Sequence, residues 1–110
     1  YRDYRVMVVE GRAVAAMQRV SQHWITNRAQ GASCHALALS DELAHWAEQA
    51  ARAVEADYAG VDLLRDSEGR WLVTEVNGIP AWQGLQFATG FDITAELAAA
   101  CLRRIEAARA

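Results

Sequence analysis

Asp62, Glu75 and Asn77 are the residues of this chain whose types and spacing come nearest to a chemical device. Two carboxylates and a side-chain amide oxygen are hard donors that Mg²⁺ accepts, with water and phosphate oxygens completing an octahedron. Asp62 lies in the apolar run Val61-Asp62-Leu63-Leu64, where an unpaired carboxylate is costly to take out of water. Asp66-Ser67-Glu68-Gly69 reads as a turn that sends the chain back through Trp71 to Val76 and brings Asp62 roughly opposite Glu75. Like charges facing each other on neighbouring strands repel. A divalent cation between them removes both penalties. Alternation puts Trp71, Val73, Glu75 and Asn77 on one face of the returning strand, with Leu72, Thr74 and Val76 on the other. Spacing alone equally allows a half-exposed hairpin whose acids point to water.

The elements that position this hairpin follow from local patterning. Residues 4 to 9 are β-branched and aromatic, Glu10-Gly11 offers a turn, and residues 12 to 20 read as the return strand of a hairpin. From Ser21 to Ser33 the chain is a polar loop carrying Trp24, Thr26, Asn27 and Arg28, followed by a short apolar stretch from Ala36 to Leu39. Ser40 is placed to cap a helix, with Asp41 and Glu42 at the positive end of its dipole. Leu43, Trp46, Ala47, Ala50 and Val54 recur at helical spacing, so Trp46 is expected in the core and the helix end near Glu55 or Ala56. Tyr58 to Leu64 is the next strand. Asp92 is a cap for a last amphipathic helix carrying Ile93, Leu97, Cys101 and Ile105. The fold class expected is α+β, an antiparallel β-sheet flanked by α-helices.

The chain has 110 residues, 53% of them hydrophobic and 23% charged, which suits one small packed domain. A net charge of −3 and scattered arginines give no pull toward nucleic acid or an anionic membrane. No apolar run approaches the roughly 20 residues needed to cross a bilayer. Cys34 and Cys101 form no metal or redox motif and read as buried free thiols in a reducing, cytoplasmic setting. His23, His35 and His45 show no metal spacing together and read as surface or hydrogen-bonded groups. All 11 basic residues are Arg and none is Lys. The opening Tyr1-Arg2-Asp3-Tyr4-Arg5 lacks an initiator Met, so residues 1–110 are expected to be a fragment of a longer protein.

The words around the acids resemble a known family. Asp57-Tyr58-Ala59-Gly60-Val61-Asp62-Leu63-Leu64 followed by Thr74-Glu75-Val76-Asn77 resembles the tail of RimK-like ATP-grasp ligases of the α-L-glutamate ligase type. Asp3-Tyr4-Arg5-Val6 looks like that family's Asp-x-Arg strand, Trp24-Ile25-Thr26-Asn27 with Gly31 like its Arg-(Ser/Thr)-Asn loop, and Thr89-Gly90-Phe91-Asp92 like its closing turn. The similarity covers nearly the whole chain, in order. It implies the C-terminal part of an ATP-grasp domain. It also implies an enzyme that joins a carboxylate acceptor to an amino acid, with glutamate the expected donor, through an acyl phosphate. ATP and Mg²⁺, or the similar ion Mn²⁺, are the implied cofactors. By the same resemblance Asp62, Glu75 and Asn77 match the metal ligands. Asp3, Thr26 and Asn27 match nucleotide-binding positions, and Arg5 and Asn27 match catalytic ones.

Two departures stand out. Ile25 occupies the place of the family's Arg, and a neutral side chain cannot make a bidentate phosphate contact. The loop Gly78-Ile79-Pro80-Ala81-Trp82-Gln83-Gly84 replaces a Ser-Pro-Gly-acid pattern, which points to a flat or aromatic acceptor such as a tetrahydromethanopterin-type pterin. ATP-grasp enzymes hold the α- and β-phosphates with lysines, and this chain has none, so by itself it is expected to be inactive. The alternatives are a nucleotide-binding module without catalysis, for which Ile25 speaks, and an assembly surface that forms a homo-oligomer.

Overall fold

The computed structural model describes residues 2–21, 33–78 and 88–109. In chain order the elements are β1 (Arg2–Val9), β2 (Arg12–Val20), β3 (Ser33–Leu37), α1 (Asp41–Ala53), β4 (Tyr58–Arg65), β5 (Trp71–Asn77) and α2 (Ile93–Arg109). The strands form one antiparallel sheet in the order β3-β2-β1-β4-β5, with one helix on each face. This is the α+β layering expected from the sequence.

Each face has its own core because β1 alternates. Val6 and Val8 point to the α1 side, where they meet Ala16, Val61, Leu63 and Trp71 under Leu43, Ala47 and Ala51. Met7 and Val9 point the other way and pack with Ala15, Met17, Ile93 and Ala100 beneath α2. All four of these β1 side chains are fully buried, and each is worth about 1.5–3 kcal/mol relative to exposure.

The turns follow from backbone chemistry. Glu10 and Gly11 both have positive φ (51° and 77°), the requirement of the two-residue turn that matches strand twist. Glu55 sits at φ 55° and closes α1. Its N–H bonds to the Arg52 carbonyl at 3.0 Å and that of Ala56 bonds to Ala51 at 3.1 Å, the paired closure that satisfies end carbonyls. At the other end of α1 the Ser40 hydroxyl accepts the Leu43 N–H at 3.1 Å. Ser40→Ala is therefore expected to lower stability by about 1 kcal/mol, and Ser40→Gly by only a few tenths, in urea unfolding. Asp92 caps α2 in the same way, accepting from the Ala95 N–H at 2.9 Å.

Five side-chain placements differ from the sequence expectation. Trp46 is 43% exposed and Val54 58% exposed, because the buried stripe of α1 is Leu43, Ala47 and Ala51. The inner face takes residues at intervals of four, Leu43 with the small Ala47 and Ala51, and Trp46 lies beside that line. In α2 the buried positions are Ile93 and Ala100, while Ile105 is exposed. Cys101 is exposed and Cys34 half-buried, so neither thiol is a fully buried one. His35 is an exposed group 3.0 Å from the Ser33 hydroxyl, as expected for a hydrogen-bonded surface histidine. Among the described residues no helix is long and apolar enough to cross a membrane.

Candidate nucleotide and metal site

Two β-bulges build the site. Between β4 and β5 the register passes from Asp62↔Glu75 to Leu63↔Val73, leaving Thr74 as an extra residue. Its hydroxyl donates to the Asp62 carbonyl at 3.1 Å. A bulge breaks period-two alternation. Trp71 accordingly turns into the α1-side core, while Glu75 faces the α2 side with Asp62. The expectation that Trp71, Val73, Glu75 and Asn77 share one face is thus overturned at Thr74. Asp62 still pairs with Glu75, and Asn77 follows on the same face opposite Gly60. The second bulge, at Val14 in β2, moves the register from Val8↔Ala13 to Met7↔Ala15 and so brings Arg19 opposite Asp3.

The result is a row of charged side chains on the α2 face: Arg19 on β2, Asp3 and Arg5 on β1, Asp62 on β4 and Glu75 on β5. Asp62 is only 7% exposed, yet it is not unpaired. Arg5 donates from Nε to Oδ1 at 2.8 Å and from an Nη to Oδ2 at 3.1 Å, a two-pronged grip. Arg19 grips Asp3 in the same way, with Nε to Oδ1 at 2.8 Å and an Nη to Oδ2 at 2.5 Å. That Nη also stands 3.4 Å from Asp62 Oδ2. Burial by itself lowers the Arg19 pKa. The hydrogen bond to Asp3 and the charges of Asp62 and Asp3 more than reverse that, so it is raised.

These contacts change the argument for a cation at Asp62. The cost of taking this carboxylate out of water is met by two guanidinium groups, so a metal is not needed to keep it in the fold. The donor set nonetheless suits a hard ion. Asp62 and Glu75 are cross-strand neighbours, Asn77 adds an amide oxygen on their face, and Glu75 is exposed with no ion pair among the described residues. Asp62, Glu75 and Asn77 fit Mg²⁺ by the chemistry of their oxygens. Among the described residues no group of three His, Cys, Asp or Glu is arranged to hold a metal. The trio, with its amide member, is a different kind of set.

Asp3, Arg5, Asp62, Glu75 and Asn77 are therefore brought to one face, whereas Thr26 and Asn27 lie outside the described residues, as do Trp24, Ile25 and Trp82. Sequence reasoning missed Arg19. Counting back from the two-residue turn without a bulge sets Gln18 against Asp3. In the structure Gln18 faces the other side and donates to the Tyr4 hydroxyl at 3.3 Å. An apolar hollow of about 340 Å³ beside Leu97, Ala100 and Ile105 opens at the opposite end of β1, near Glu10 and Asp57.

This arrangement of sheet and helices is the one found in ATP-grasp ligases. It superposes on the ATP-grasp ligase PsnB, solved with a phosphomimetic variant of a minimal precursor, Mg and ADP. The TM-score is 0.77 at 24% identity, over 94% of this chain and 32% of that one. The chain belongs to the RimK-like ATP-grasp domain family, whose model matches residues 1–101. It is 39% identical over 97 residues to the tetrahydromethanopterin:α-L-glutamate ligase of Methanococcus maripaludis, covering 88% of this chain and 33% of that protein. It is 40% identical over 97 residues to the probable α-L-glutamate ligase of Aeromonas salmonicida, covering 86% of this chain and 32% of that protein. The chain thus spans about a third of the length of these relatives.

Proposed function

We propose that this chain forms the C-terminal part of the active site of an ATP-dependent carboxylate–amine ligase that adds an amino acid, glutamate, to a carboxylate acceptor. The observation that carries the reading is the pairing of Asp62 with Glu75, with Asn77 on the same face, in a chain about 40% identical to α-L-glutamate ligases. The reaction proposed has two steps. The acceptor carboxylate takes the γ-phosphoryl group of ATP, giving an acyl phosphate and ADP, and the amine of glutamate then displaces phosphate. Such a reaction asks the protein mainly for positioning and charge compensation. Mg²⁺ held by Asp62, Glu75 and Asn77 would draw negative charge from phosphate oxygens. Arg5 fixes the Asp62 carboxylate, and Asp3 is proposed to face the nucleotide. Thr26 and Asn27 are proposed for the phosphate or the reacting carboxylate.

A pterin of the tetrahydromethanopterin type is the acceptor proposed, supported by one relative's activity and by Trp82 in the loop after Asn77. A second reading is a nucleotide-binding module without turnover, favoured by Ile25 at the family's Arg position. The full-length protein separates the two. ADP release that requires both an acceptor and glutamate is expected, and nucleotide binding without turnover would establish the module. The 110-residue chain assayed alone is expected to release no ADP, because it carries no Lys to hold the α- and β-phosphates.

A further inference from the structure

We propose that Asp3, Arg19, Asp62 and Arg5 form a charge-balanced lock that keeps a divalent cation out until nucleotide arrives, with Arg19 as its positioning residue. The inference rests on the metal reading of Asp62, Glu75 and Asn77 given above.

The four side chains carry two positive and two negative charges, linked in one chain of contacts from Asp3 through Arg19 and Asp62 to Arg5. Arg19 is 8% exposed and Asp62 7%, so water screens these charges little. A carboxylate has about four acceptor positions. Three directions around Asp62 are taken by guanidinium N–H groups: Arg5 Nε at 2.8 Å, an Arg5 Nη at 3.1 Å and an Arg19 Nη at 3.4 Å. A bare cation therefore meets one unopposed carboxylate, Glu75, beside two fixed positive charges. Mg²⁺ gives up its water reluctantly, and such a site offers it little in return.

Nucleotide phosphates change that balance. Their negative charge draws the guanidinium groups of Arg5 and Arg19 and frees oxygens of Asp62 for the ion that the phosphates bring with them. Metal and nucleotide are then coupled, and by linkage each raises the affinity for the other by the same factor. Arg19 sets the balance because it joins the two acids. Removing it leaves Asp3 and Asp62 with one Arg between them. Removing the charge of Asp3 leaves Arg19 turned wholly on Asp62.

The sign of the effect makes the test. Mn²⁺ binding to the full-length protein is measured by electron paramagnetic resonance, with and without a non-hydrolysable ATP analogue. Wild type is expected to bind Mn²⁺ at least tenfold more tightly with the analogue. Without it, Arg19→Met should strengthen Mn²⁺ binding about tenfold and Asp3→Asn should weaken it. Arg19→Lys keeps the charge and should stay near wild type. Loss of structure alone would move Arg19→Met and Asp3→Asn in the same direction, so opposite shifts identify the lock. Equal affinity with and without the analogue, or weaker binding in Arg19→Met, overturns it. Glu75→Gln separates the two claims. If it retains full Mn²⁺ binding with the analogue, the metal reading falls and the lock with it. If it loses that binding while the Arg19 and Asp3 variants show no opposite shifts, the lock alone falls.

Discussion

Glu75→Gln and Asp62→Ala are expected to stop the proposed ligation alike and to destabilise the protein very differently. In the full-length protein each should lower kcat for acceptor- and glutamate-dependent ADP release by about 10³-fold, the scale of several kcal/mol of lost charge stabilisation. Glu75 is exposed and unpaired among the described residues, so its substitution should leave urea stability within about 0.5 kcal/mol. Asp62 is buried in the grip of Arg5. Asp62→Ala removes the buried carboxylate that Arg5 grips and Arg19 approaches, at a cost of about 3–5 kcal/mol. Turnover by Glu75→Gln within tenfold of wild type would remove Glu75 from the metal set. An Asp62→Ala protein as stable as wild type would show that the ion pairs do not hold this carboxylate in place.

The contrast also marks what the sequence could and could not tell. Hairpins, helix caps and the order of elements were legible because they depend on neighbours: Ser40 before Asp41-Glu42, Glu10-Gly11 after the Val-rich run of residues 4 to 9, Asp66 to Gly69 before Trp71. Asp62 was legible as an anomaly, a carboxylate in an apolar strand. The facing of Asp62 and Glu75 was legible too, but the arginine partners were not, because Arg5 depends on which strand β4 pairs with and Arg19 on one extra residue in β2. Neither Val14 nor Thr74 looks unlike a regular strand residue. Without the Val14 bulge, Gln18 rather than Arg19 would face Asp3. Without the Thr74 bulge, Asp62 would face Thr74 and Glu75 would turn away. A one-residue slip moves every later side chain to the other face, so cross-strand chemistry is the part that local pattern leaves open. Trp46 failed for a related reason. Helical spacing defines a stripe wide enough for Leu43, Trp46, Ala47 and Ala50, and the face turned to the sheet is the narrower line of Leu43, Ala47 and Ala51.

The same bulge predicts which tryptophan matters for stability. Trp71→Ala is expected to cost about 3–5 kcal/mol, whereas Trp46→Ala, at a 43% exposed position, should stay within about 0.5 kcal/mol. Trp71 is 9% exposed in the α1-side core. Its ring lies edge-on to Tyr4 at 4.9 Å, with the Arg65 guanidinium 4.7 Å from its centre. Such an aromatic pair adds about 0.5–1.5 kcal/mol beyond area burial. The indole N–H is buried with no partner among the described residues, and an unsatisfied donor carries a penalty. Trp71→Phe removes that donor and keeps the edge contact, so it should cost less than about 1.5 kcal/mol. Native-state hydrogen exchange of β4 and β5 in the full-length protein reads all three variants. Equal losses for Trp71→Ala and Trp46→Ala would refute the bulged register. If Trp71→Ala loosens β5 as expected, Glu75 loses its fixed place opposite Asp62. Mn²⁺ affinity in the presence of nucleotide should then fall along with stability, although Trp71 faces the core on the other side of the sheet.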